Sequence, residues 1–194
     1  MQVQEPQVVR LGKGQNVSLS KTAPLATKLK VNLLWKARET EGKDFDLDAS
    51  VFMLNEEGIV KTVNDDFVFY HNKESLGGAV KHEGDNRIGG GETIHVDLEK
   101  IPAYVQKLVF VVTIDEAKER GQTFGQVDGA AIVLGDTQGT SEWRFDLSED
   151  ASRETAMLFA ELYRHNGEWK YKAVGQGHNE GLAYFCSQYG LTPT

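Results

Sequence analysis

From Asp44 to Val51 polar and apolar residues alternate without a break, in the order Asp-Phe-Asp-Leu-Asp-Ala-Ser-Val. On a helix, Asp44, Asp46 and Asp48 would scatter around the axis. On a strand they share one face, and Phe45, Leu47, Ala49 and Val51 share the other. The stretch therefore predicts a strand with one apolar face to bury and one acidic face to leave in water.

The rest of the chain carries the same two-residue period. Val17–Leu19 and Leu29–Leu33 are strand candidates, as are the short aromatic run Phe67–Tyr70 and the alternating sets Ile94, Val96, Leu98 and Trp143, Phe145, Leu147. Leu108–Ile114 is almost entirely apolar and reads as a central strand, and Ala130–Leu134 follows it. Turn chemistry separates these runs at Asn55–Gly58, Gly77-Gly78, Gly89–Gly91 and Gly135-Asp136. Residues 155–174 admit two readings. Ala156, Phe159, Ala160 and Tyr163 fit a helical spacing, but Asn166-Gly167 is a strong hairpin signal followed by alternation, and a hairpin is preferred. Leu182, Phe185, Cys186 and Tyr189 mark one face of a helix, with Asn179 as N-cap and Gly190 as C-cap. The expected fold is all-β in the main: an antiparallel β-sandwich of two packed sheets with a short C-terminal helix, formed by residues 1–194 as one domain.

Charge is concentrated. Residues 39–99 hold 15 acidic and 5 basic side chains, against a formal net charge of −8 for the whole chain. An acidic chain lacks the basic surface that nucleic acid requires. No apolar run approaches a membrane span, and the first residues lack the apolar core of a secretory signal. The single cysteine, Cys186, cannot form an internal disulfide, which suits a reducing cytoplasm.

The acidic strand has two readings, a solvated sheet face or a site for a hard divalent cation. An EF-hand is excluded, because its sixth and twelfth positions would be Ala49 and Asn55 where glycine and glutamate are needed. Calcium takes six to eight oxygen donors, and nearby segments offer them: Asn64, Asp65 and Asp66, then Asn72, then Asp85 and Asn86, then Glu92. Zinc is the weaker competitor. His71, His82 and His95 lie in this region, but without a zinc-ligand spacing and outnumbered by oxygen donors. Gly89–Gly91 lead into a strand and lack the Gly-Lys-Ser/Thr of a phosphate loop. Nor is there a nucleophile motif, and no carboxylate pair is fixed by spacing for acid–base work, so an enzyme is not expected.

The segments FDLDASVFML, DDFVFYHN, GDNR, VDLEKIP, FVVTI, FGQV, ELYRHNGEWKYKAVGQG and the closing GL…YG, taken in order, resemble the TerD family of tellurium-resistance and general stress proteins. The resemblance runs from LGKGQNVSLSK to about Leu191. It implies a calcium-binding β-sandwich without catalytic activity, located in the bacterial cytoplasm. It also implies other tellurium-resistance and stress proteins as partners, in a multi-protein or membrane-associated assembly. Carried onto this chain, the calcium ligands are Asp46 and Asp48 of FDLDAS, Asp66 and Asn72 of DDFVFYHN, and Asp85 and Asn86 of GDN, with Glu92 closing the site. The chain departs from the family where GDN is commonly followed by a longer loop containing an acidic pair. Fewer carboxylates mean weaker calcium binding, so the expectation is one ion held well or two held weakly. The alternative implied by that loss is a calcium-independent structural module of a stress-resistance complex.

Overall fold

The computed structural model describes residues 6–37, 45–84, 91–147 and 153–192. Among them the strands are β1 (Gln7–Arg10), β2 (Asn16–Ser18), β3 (Lys28–Ala37), β4 (Leu47–Leu54), β5 (Phe67–Val68), β6 (Val80–His82), β7 (Gly91–Asp97), β8 (Lys107–Ile114), β9 (Val127–Asp136), β10 (Ser141–Asp146), β11 (Ala156–His165) and β12 (Glu168–His178). The helices are short: α1 (Leu19–Thr22), α2 (Val63–Asp66), α3 (Ala117–Arg120) and α4 (Gly181–Gln188).

The strands form two six-stranded sheets, ordered β1-β10-β9-β3-β7-β6 and β2-β12-β11-β8-β4-β5. Leu29, Val31 and Leu33 of the first sheet meet Ala49, Val51, Phe110 and Val112 of the second in one buried core. The sandwich expected from the two-residue period is present, with one correction. β1 runs parallel to β10, so the first sheet is mixed and not wholly antiparallel. Alternation reports which face a residue occupies and carries no information on strand direction.

β8 explains its own composition. Leu108, Phe110 and Val112 point into the sandwich. Val109 and Val111 point the other way, into a second cluster with Phe52, Leu158, Phe185 and Cys186. α4 lies over that outer cluster, so both faces of β8 are dry and every position can be apolar. The expected helical face therefore does pack on a sheet. Its N-cap is Glu180, with no side-chain capping bond, in place of the expected Asn179. Gly190, just beyond the C-cap Tyr189, takes φ 78°, which lets Leu191 N–H reach the Cys186 carbonyl at 2.8 Å.

The ambiguous region is a hairpin. β11 and β12 pair from Ala156↔His178 to His165↔Glu168, and Asn166 and Gly167 take left-handed φ values of 51° and 75°. The ladder is broken once, where Val174 and Gly175 face the single residue Phe159. Gly175 has φ 62°, and a Cβ placed there would lie 2.8 Å from Phe145 Cζ of the opposite sheet. Glycine thus permits both the bulge and the close approach of the two sheets. Gly175→Ala is expected to cost about 1–3 kcal/mol from backbone strain alone. A lowered urea midpoint with an unchanged slope would report it.

Candidate functional site

The register of β4 decides which side chains meet. Leu47, Ala49 and Val51 enter the core, so Asp48, Ser50 and Phe52 face outward on the side covered by α4. Asp48 stands directly opposite Thr113 of β8, and Leu47 opposite Ile114. Asp46 immediately precedes the strand, and its carbonyl accepts the Asp115 N–H at 2.8 Å. This bond ties the entry of β4 to the exit of β8. The chain then turns through Glu116 at φ 47° into α3. Arg120 donates back to Glu116 at 2.8 Å and lies 3.5 Å from Asp115.

These elements, Tyr70 and the first turn of α4 enclose a cavity of about 270 Å³. Asp48, Asp115, Glu116, Glu119 and Glu180 line it, with Lys118 as the cation among the described lining residues. Burial first, and then the charges of Asp48, Asp115 and Asp46, push the Tyr70 hydroxyl above the usual phenol range. Three carboxylates therefore act on one phenol. The hydrogen bond to Glu116, reinforced by the charges of Asp115 and Asp46, holds the Arg120 guanidinium more firmly protonated than usual.

Glu92 approaches β4 from the inner side. It belongs to β7 of the first sheet, and its Oε2 accepts the Ala49 N–H of the second sheet at 2.5 Å. β5 pairs with β4 only at Val51 and Phe52, so the carboxylate satisfies a donor on the strand edge beyond that pairing. His82 Nε2 lies 3.2 Å from the same oxygen, and the two side chains are 0 % and 1 % exposed. Gly84 N–H donates to His82 Nδ1 at 2.9 Å, which leaves Nε2 to carry the proton and donate to Glu92. Glu92 Oε1 is buried with no hydrogen-bond partner among the described residues.

Asp66 and Asn72 are used differently. Asp66 is 1 % exposed; Oδ2 accepts from Thr62 N–H at 3.1 Å and Oδ1 from the Tyr104 hydroxyl at 2.7 Å. Burial and this hydrogen bond push Tyr104 up to about 12. Asn72 spans its loop, donating to the carbonyls of Asn64 and Phe67 at 2.9 and 2.7 Å. Asp66 adjoins the Phe52–Phe67 pair, whereas Asp48 lies four residues back along β4, about 13 Å at the rise of an extended strand. The structure thus brings Asp46 and Asp48 together, places Glu92 behind them, and gives Asp66 a structural partner elsewhere. Asp85 and Asn86, with Asp44, lie outside the described residues. Among the described residues, no group of three or more His, Cys, Asp and Glu side chains is arranged to hold a metal ion.

Sequence reasoning missed Asp115, Glu116 and Tyr70. Asp115 and Glu116 follow the apolar run of β8, outside the acidic alternation, and only strand pairing reveals that this end meets the start of β4. Removing the buried carboxylate in Glu92→Ala strands the Ala49 N–H and is expected to cost about 1–3 kcal/mol. Glu92→Gln keeps a carbonyl oxygen for both donors and should cost less. Urea midpoints of the two variants against the parent check the order.

The comparisons agree with this fold. The TerD domain model matches residues 8–189. The tellurium resistance protein TerD of Serratia marcescens is 54% identical over 188 residues, covering 94% of this chain and 97% of that protein. General stress protein 16U of Bacillus subtilis is 45% identical over 189 residues, covering 94% and 97%. The crystal structure of a homologue of telluride resistance protein (TerD) from Streptomyces coelicolor superposes with a TM-score of 0.64 at 18% identity, covering 87% of this chain and 99% of that one. That structural likeness speaks to the fold alone. The family match and the high identities over nearly full length establish that the chain belongs to the TerD family.

Proposed function

We propose that this protein is a non-enzymatic, cytoplasmic calcium-binding protein of the stress response. Calcium bound at the outer end of β4 orders a surface for other tellurium-resistance and stress proteins. The observation that carries the reading is that Asp48, Asp115 and Tyr70 line one cavity, with Asp46 tied to Asp115 through its backbone carbonyl. Like charges held together repel one another, and a divalent cation removes that cost. The donor type suits a hard ion, while the three carboxylates do not by themselves form a closed metal site among the described residues. Carboxylate oxygens of these three residues, the Thr113 hydroxyl beside Asp48 and carbonyls of the adjoining turn are all oxygen, as calcium prefers. The orphaned Glu92 Oε1 is a further oxygen, on the inner side of the strand. Asp85 and Asn86 belong to the segment joining β6 to β7, whose ends carry His82 and Glu92.

A second reading has its own observation. Asp66 already accepts hydrogen bonds from Thr62 and Tyr104, which argues against its serving as a ligand. With the shortened loop, this favours a family member that works as an assembly module without the ion.

A thermal melt separates the two. After EDTA treatment, calcium at a hundred times its Kd should stabilise by about 2.7 kcal/mol. For a domain of this size that is a Tm rise of about 5–11 °C. Magnesium should give little, and Asp48→Asn should reduce the calcium effect. No rise up to millimolar calcium would favour the assembly module.

A further inference from the structure

We infer that the cavity beside Asp48 takes up a primary ammonium group on an alkyl chain, the end of a lysine side chain or of a free alkylamine. The inference rests on the acidic character given to this site above but does not require calcium.

Size is the first argument. Sites for drug-sized molecules run from about 300 to 1,000 Å³. A cavity of about 270 Å³ suits a group the size of one side chain. Its lining chemistry is the second. Carboxylates dominate, but Leu182, Ala183 and the 40 % exposed Tyr70 also form part of the wall. An alkyl stem packs on such a wall and an ammonium is attracted to an aromatic face.

Two buried hydroxyls are the third argument, independent of the acids. Thr113 and Thr155 line the cavity, are only 5 % and 7 % exposed, and make no side-chain hydrogen bond among the described residues. Thr113 faces Asp48 across the β4–β8 ladder, which places their Cβ atoms about 4.5–5.5 Å apart. On its other side Thr113 pairs with Ala156, and Thr155 immediately precedes that residue. One carboxylate and two hydroxyls thus stand side by side. An ammonium carries three N–H donors and no acceptor, and these three acceptors match it.

The test is calorimetric titration of the full chain in EDTA buffer at low salt, with n-butylamine, Nα-acetyl-lysine methylamide and, as a neutral control, n-butanol. The expected result is saturable binding of the amine and none of the alcohol. Binding should weaken about tenfold in Asp48→Asn, the effect of losing one charged hydrogen bond. It should weaken also in Thr113→Val, which keeps shape and strand propensity, with circular dichroism confirming that both variants fold. Binding of the lysine derivative as well as n-butylamine assigns the site to a partner's side chain, and binding of n-butylamine alone assigns it to a free alkylamine. No saturable binding of either amine, or binding unchanged in both variants, overturns the inference. A calcium melt without a shift, beside intact amine binding, would instead overturn only the calcium reading.

Discussion

The alternation that starts at Asp44 and runs into β4 as far as Val51 is the constraint on which the rest depends. A slip of one residue would drive Asp46 and Asp48 into the sandwich and expel Leu47, Ala49 and Val51 to the outer face. Burying those carboxylates without partners is far costlier than any gain from alternative pairing. The register is therefore fixed by charge as much as by apolar burial. With β4 in place, Asp48 must face Thr113, and the entry of β4 must meet the exit of β8, where Asp115 donates to the Asp46 carbonyl.

The two sides of β4 are held by different means. Inside, one carboxylate oxygen of Glu92 takes the Ala49 N–H and faces His82, joining the sheets by a polar contact in a dry interior. Such a contact is expensive to break, because each partner would be left buried and unpaired. Outside, the acidic groups stay near water and are opposed by Arg120. The same strand thus carries a fixed polar tie on one face and an adjustable acidic cavity on the other.

Much of this was legible in the residues. Alternation marked β7, β10 and the first half of β4, the apolar run marked β8, and Asn166-Gly167 set the β11–β12 turn. β1 was not legible: its four residues offer only Val9 in partial burial, too little for a periodic signal. β6 is shorter still, and its place in the sheet comes from pairing with β7. Around the cavity, the acidic alternation placed Asp46 and Asp48 on one face of a strand, whereas Asp66 lies outside that alternation and hydrogen-bonds elsewhere. Its neighbours Thr62 and Tyr104 are set by packing, which no spacing rule reports. Asp115 was hidden for the opposite reason, being distant in sequence and brought in by the ladder. The Asn179 cap failed because Gly181, at φ 64°, shifts the start of α4 one residue onward.

The central claim is that the cation-responsive site lies where β4 enters and β8 leaves, and not at Asp66. Calcium titration of isotopically labelled protein, followed by two-dimensional amide NMR, tests it most directly. The account predicts saturable shifts at Asp46–Asp48, Tyr70 and Thr113–Arg120, with the amides around Asp66 and Tyr104 nearly still. Shifts centred on Asp66 and Tyr104, or no saturable shifts anywhere, would contradict it.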